Sequence, residues 1–177
     1  IRNIIVMVWV TGAAALFLWY AGVFILHRRR VKRYAPYNTA RIMGQVREIR
    51  SILGIDPFKE ITVRRGNNAQ TVGDTIVLPE GFTENKEYHI MLHELCHYRH
   101  RDNLKLWTAL IAVCINWFNP LIWLAFKRFR TDIEMLCGEH VLEVTDRKKE
   151  YARVLVKSAS VRNRFVPGTA SVHNGKH

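Results

Sequence analysis

The longest hydrophobic pattern in the chain is an unbroken apolar run, "IIVMVWVTGAAALFLWYAGVFIL", from Ile4 to Leu26. At about 1.5 Å per helical residue it can cross a hydrocarbon core of about 30 Å, which predicts one transmembrane helix over residues 1–27. Trp9 lies inside the run, and Trp19 and Tyr20 near its end suit an interfacial belt. A secretory signal would be shorter and would carry its basic residues first; here "HRRRVKRY" comes after. Helical spacing continues in "NTARIMGQVREIRSILG", with Ile42, Val46, Ile49 and Leu53 on one face, Asn38 as N-cap and Gly54 as stop. "EITVRR" (Glu60 to Arg65) and "DTIVLPE" (Asp74 to Glu80) read as short strands separated by the turn-rich "GNNAQTVG". Thr83 then caps a helix with Tyr88, Met91, Leu92 and Leu95 on its buried side.

A second apolar stretch, Leu106 to Phe126, is nearly long enough to span a membrane. "NWFNP" interrupts it, and Asn116, Asn119 and Pro120 are turn and breaker residues. Two readings stand: one straight span, or a re-entrant apolar hairpin over 104–128 whose ends return to the same side. Lys105 before the stretch and Lys127, Arg128 and Arg130 after it favour the hairpin. The C-terminal "DRKKEYARVLVKSASVRNRF" predicts an amphipathic helix from Asp146 with Tyr151, Val154 and Leu155 inward. The expected fold is α+β, mainly α, with a small sheet.

Length and charge refine this picture. A chain of 177 residues suggests one soluble domain beyond the membrane helix, assigned to 38–177 after a basic linker at 28–37. The net charge of +12 has five of its basic residues in that linker. The positive-inside rule puts the linker and the domain after it in the cytoplasm, and Arg28 to Arg33 would meet anionic lipid headgroups. That accounts for much of the basicity without nucleic acid, although a basic membrane-surface or nucleic-acid-binding protein is the alternative of another class. Cys96, Cys114 and Cys137 are widely spaced and odd in number, which fits a reducing compartment and excludes a disulfide framework. The chain opens at Ile1 and stops on "VHNGKH", as a piece of a longer protein would. Self-association is left open.

The candidate chemistry lies in "IMLHELCHYRHRDN", Ile90 to Asn103. On a helix, His93 and His97 are i and i+4, so both imidazoles can reach one metal ion. Glu94 lies one residue round, placed to take a proton from a water that zinc makes acidic. His89 and His100 read as surface residues of the same helix, and Cys96 as a small apolar residue. A third ligand must come from elsewhere, and "RTDIEMLCGEHVLE" offers Asp132, Glu134, Glu139, His140 and Glu143. Only the folded-back reading brings that segment to the histidines.

Together "HELCHYRHRDN", the apolar stretch with "NPLIW" and "FRTDIEMLCGEHVL" resemble the BlaR/MecR-type antirepressor membrane zinc peptidases, glutamate-zincins known as β-lactam sensor-transducers. The resemblance covers about Tyr34 to Val156. It implies one zinc ion, held by His93, His97 and Glu134, with Glu94 as general base. It also implies a zincin-like fold and a bacterial membrane enzyme that cleaves a cytoplasmic DNA-binding repressor. The family pattern runs Glu-x-x-Cys-Asp, whereas "EMLCG" has Gly138 at the aspartate position. That carboxylate would orient a ligand histidine; Asp132 or Glu139 is the expected substitute. An extended substrate would add along an exposed edge strand at Thr75, Ile76, Val77 and Leu78. Tyr151 and His140 are guesses for the oxyanion partner. The alternative within the family is a zinc-binding signalling module that has lost hydrolysis.

Overall fold

The computed structural model describes residues 1–145, 148, 149 and 151. Its elements run α1 (Arg2–Val31), α2 (Ala40–Leu53), β1 (Thr62–Gly66), β2 (Gln70–Val72), β3 (Thr75–Pro79), α3 (Glu84–Arg99), α4 (Asp102–Ile115) and α5 (Pro120–Val144). It is mainly helical with one small sheet, as the pattern of apolar positions predicts. The proposed C-terminal helix, with Val154 and Leu155, lies outside the described residues; Tyr151 is buried.

Helix α1 is the one helix among the described residues that is long and apolar enough to cross a membrane. It continues unbroken past the predicted end at residue 27, so Arg28, Arg29 and Arg30 form its last turn instead of a linker. Basic side chains there also complement the negative end of the helix dipole. Helix α2 buries Ile42, Val46, Ile49 and Leu53, the four residues its spacing picks out, and stops at Gly54, whose φ of 62° is the left-handed region. Its N-cap is Thr39 rather than Asn38: the Thr39 hydroxyl accepts a hydrogen bond from the Ile42 backbone N–H.

The sheet corrects two expectations. Its order is β1-β3-β2, with β1 parallel and β2 antiparallel to β3. Strand β2 arises inside "GNNAQTVG", and the β2–β3 hairpin turns on Gly73, whose φ of 61° suits a tight reversal. Thr75–Leu78 is therefore the central strand, with both sides paired, and offers no edge to a substrate. The outer edge of β1 is met by Ala35–Tyr37 (Tyr37 N–H to the Val63 carbonyl, Arg65 N–H to the Ala35 carbonyl). At the other edge β2 is buried, its Thr71 carbonyl accepting from Asn103 Nδ2.

A core of α2, the sheet, α3 and the later part of α5 holds Ile42, Ile76, Leu78, Met91, Leu95 and Val141. A second cluster joins Leu106, Leu110, Val113, Phe126 and Ile133, with Leu16 and Tyr20 of α1 packed against it. The chain reverses between α4 and α5 at the breaker residues. Asn119 N–H donates to the Asn116 carbonyl, the Asn119 side chain caps Leu121 N–H, and Pro120 opens α5. Within Leu106–Phe126 the chain is therefore two packed helices with a turn between them rather than one continuous helix. The turn docks on α1: Trp9 Nε1 donates to the Ile115 carbonyl at 2.7 Å, and Trp117 lies so close that a Cβ at Gly12 would come within 2.6 Å of its ring.

Candidate metal centre

Three elements build the site. Helix α3 carries His93, Glu94 and His97, all buried. The two arms of the α4–α5 hairpin then bring Glu134 back to them. From Asp102 to Ile115 and from Pro120 to Glu134 the chain climbs and descends by nearly the same distance, about 20 Å at 1.5 Å per residue. The imidazole Nε2 atoms of His93 and His97 are 3.1 Å apart, and Glu134 Oε2 lies 3.5 Å from the first and 3.6 Å from the second. Ligands on a tetrahedral ion at about 2.0–2.1 Å stand about 3.3–3.4 Å from one another. The donors are therefore spaced as one such ion requires. Glu134 keeps 38% of its side chain exposed, so the site opens to solvent on that side.

Each imidazole is backed on its far nitrogen. His97 Nδ1 lies 2.8 Å from Asp102 Oδ2, and His93 Nδ1 lies 2.9 Å from the Tyr151 hydroxyl. Ligation through Nε2 places the ring proton on Nδ1, where these oxygens accept it. Asp102 is buried, and its other oxygen accepts from Lys105 Nζ at 2.8 Å. Arg101 makes this possible. It stands between α3 and α4 with φ 55°, an uncommon conformation for a residue with a side chain, and turns the chain so that α4 starts beside His97. Glu94 is wholly buried, with Thr71 Oγ1 2.8 Å from its Oε2 and 2.9 Å from its own carbonyl oxygen; the single hydroxyl proton is shared between them.

The charges at the site are strongly coupled. Burial disfavours a charged His97, but the hydrogen bonds to Asp102 and Glu134 outweigh it and hold the imidazole up to about 10. Burial likewise opposes the Glu134 carboxylate and is overridden by His93 and His97, which bring it down to about 2. His93 is pushed below the ordinary histidine value, chiefly by burial. The metal-free site therefore holds one proton, on His97, between two carboxylates. Cys137 is the other group within reach of both histidines. Its sulfur sits 3.6 Å from His93 Nδ1, on the side away from Glu134's contact, and burial pushes its thiol well above the usual range. Glu134 Oε2, unlike Cys137 Sγ, meets the Nε2 atoms that the two histidines turn toward each other, which makes it the candidate third donor.

The sequence-derived residues sort clearly. His93, Glu94, His97 and Glu134 come together. Asp132 and Glu139, the expected buttresses, are exposed on α5, and Asp102 performs that task for His97. His89 is buried rather than superficial, beside Tyr151. Of the oxyanion guesses, Tyr151 is engaged with His93, and His140 faces His100 on the outer side of α5. Asp102 was missed as a partner. Its signal is an aspartate five residues beyond the second histidine, just past the helix end.

The chain matches the BlaR1 peptidase M56 family over residues 1–177. It is 32% identical over 94 residues to the regulatory protein BlaR1 of Bacillus licheniformis, an overlap of 50% of this chain and 16% of that protein. With the methicillin resistance mecR1 protein of Staphylococcus aureus it shares 25% identity over 125 residues, 64% of this chain and 21% of the relative. It thus spans a small part of these relatives' length. The match over the full length of the chain makes it a member of the BlaR1 peptidase M56 family.

Proposed function

We propose that this chain is an integral-membrane zinc metalloendopeptidase that hydrolyses a peptide bond in a cytoplasmic protein. The family resemblance suggests a transcriptional repressor as that protein, within antibiotic or cell-wall stress signalling. The observation that carries the reading is the convergence of His93 Nε2, His97 Nε2 and Glu134 Oε2 within 3.1–3.6 Å of one another, beside the buried Glu94. When bound, zinc supplies Lewis-acid polarisation of the scissile carbonyl and a lowered pKa for water. The protein does the rest. Asp102 and Tyr151 fix the two imidazoles with Nε2 turned inward. Glu94, steadied by Thr71, takes the proton of the attacking water and returns it to the leaving amine nitrogen.

The bilayer would take α1 and the apolar hairpin 104–128, the latter re-entrant, with residues 38–177 otherwise facing the cytoplasm behind the basic end of α1. Supporting this, Leu18, Trp19, Ile111, Phe118 and Leu121 expose large apolar side chains that no protein element covers, far more than a water-facing surface carries. Arg28–Arg33 would lie at the anionic headgroups. A second reading, a zinc-binding signalling module without hydrolysis, draws on Gly138: His93 meets a phenol where a carboxylate would make it more basic. The test is Glu94→Gln in detergent-solubilised chain with a quenched fluorescent peptide library. The peptidase reading requires cleavage in wild type and its loss in the variant at unchanged zinc content. Equal signals from the two would remove it and leave the module.

A further inference from the structure

On the outer side of Asp102, away from the catalytic donors, the C-cap of α3 and helix α5 bring two more imidazoles together. The rings of His100 and His140 have centroids 5.0 Å apart and are tilted by 58°. Two imidazoles bound to one tetrahedral ion, with metal–nitrogen bonds of about 2.0–2.1 Å, place their centroids about 5 Å apart. In the catalytic pair the distance is 4.6 Å. His140 Nδ1 and Glu143 Oε2 stand 3.7 Å apart, too far for a hydrogen bond and close to the spacing of two donors bridged by an ion. His100 turns Nδ1 to Cys96 Sγ at 3.7 Å, which leaves Nε2 for an outside ligand. These side chains line a cavity of about 300 Å³ that Asp102, Lys105 and Glu139 also border. Glu143 is 76% exposed, so the cavity is reached directly from solvent.

We propose that His100, His140 and Glu143 form a second divalent-cation site, suited to zinc or a similar imidazole-seeking ion, separated from the catalytic centre by Asp102. Two imidazoles and a carboxylate select such ions over magnesium or calcium, which prefer oxygen alone. The site is weaker than the catalytic one. Among the described contacts, neither His100 nor His140 has the carboxylate support on its far nitrogen that Asp102 gives His97, and such support is worth about 10–100-fold in affinity.

The experiment is equilibrium dialysis of the detergent-solubilised chain against rising free zinc, with metal counted per chain. Wild type takes one ion tightly and a second about 10–100-fold more weakly. His140→Ala and His100→Ala lose only the second, and Glu134→Gln loses only the first. Should His140→Ala misfold, Glu143→Gln removes one donor conservatively and weakens the second ion alone. A wild type that saturates at one ion, lost in Glu134→Gln, overturns the outer site and leaves the peptidase reading intact. So do two ions retained in both histidine variants. One ion that disappears in His140→Ala but survives in Glu134→Gln supports the outer site and removes the catalytic one.

Discussion

The two halves of the molecule solve opposite problems. Around α2, the sheet and α3, apolar side chains fill the interior, and buried polar groups at the site are partnered: Glu94 with Thr71, His97 with Asp102 and His93 with Tyr151. Around α1 and the α4–α5 hairpin the outward surface is itself apolar. Leu18 is 68% exposed and Leu121 69% exposed, and the polar contacts there tie backbone carbonyls to indoles, as Trp9 does to Ile115. On the proposed membrane placement, the difference teaches that one rule of burial operates under two solvents. Where water surrounds the fold, stability comes from hiding apolar surface; where lipid would surround it, the outward face carries no penalty for being apolar and close packing at Gly12 and Trp117 would matter more.

Charge substitutions break that comparison most strongly. Leu18 and Phe58 are both exposed apolar residues, one in each half. Leu18→Arg should cost about 2.5–3.5 kcal/mol of membrane insertion, read by carbonate extraction of expressed protein. Phe58→Arg should stay within about 0.5 kcal/mol in a thermal melt. Equal, small effects would place both halves in water. The next effect is in pH. His97 is protonated below about 10 in the metal-free site, and that proton must leave for Nε2 to bind. Glu134 is already ionised, and burial holds His93 below the ordinary histidine value, so His97 carries the proton that zinc displaces. One proton is released per ion, so zinc affinity should rise about 100-fold from about pH 6 to about pH 8, in competition with a chelator. A flat profile would mean that His97 is not a ligand.

Smaller effects separate the two buttresses. Asp102→Asn should lower zinc affinity by about 10–100-fold, since an amide cannot stabilise the polarised imidazole as a carboxylate does. Tyr151→Phe should cost about tenfold or less, because the phenol is a neutral acceptor. Equal losses would contradict the assignment of the stronger support to Asp102.

Much of this was legible in the chain. The His93–His97 pair comes from helical spacing, and "NWFNP" announces a reversal because two asparagines and a proline cannot continue a helix comfortably. The reversal returns the segment from Asp132 to Glu143 to the histidines, and the family resemblance picks Glu134 from it as the proposed third donor. The features that stayed hidden depended on contacts between distant segments. Strand β2 lies in a sequence of turn formers and exists because β3 and α3 enclose it, so local propensity was overruled. Thr75–Leu78 looked like an available edge because nothing in the sequence says that β1 and β2 flank it. Asp102 reaches His97 only through the left-handed turn at Arg101, a conformation that an arginine does not advertise. His89 has the spacing of the ligand face, i−4 from His93, and its burial was available from that register.

The most direct test of the central claim is the zinc that survives exhaustive dialysis of the detergent-solubilised chain, measured beside Glu134→Gln. The account predicts one retained ion per chain in wild type and none in the variant, with helix content unchanged. No retained zinc in wild type, or an ion equally retained in Glu134→Gln, would contradict a centre built from His93, His97 and Glu134.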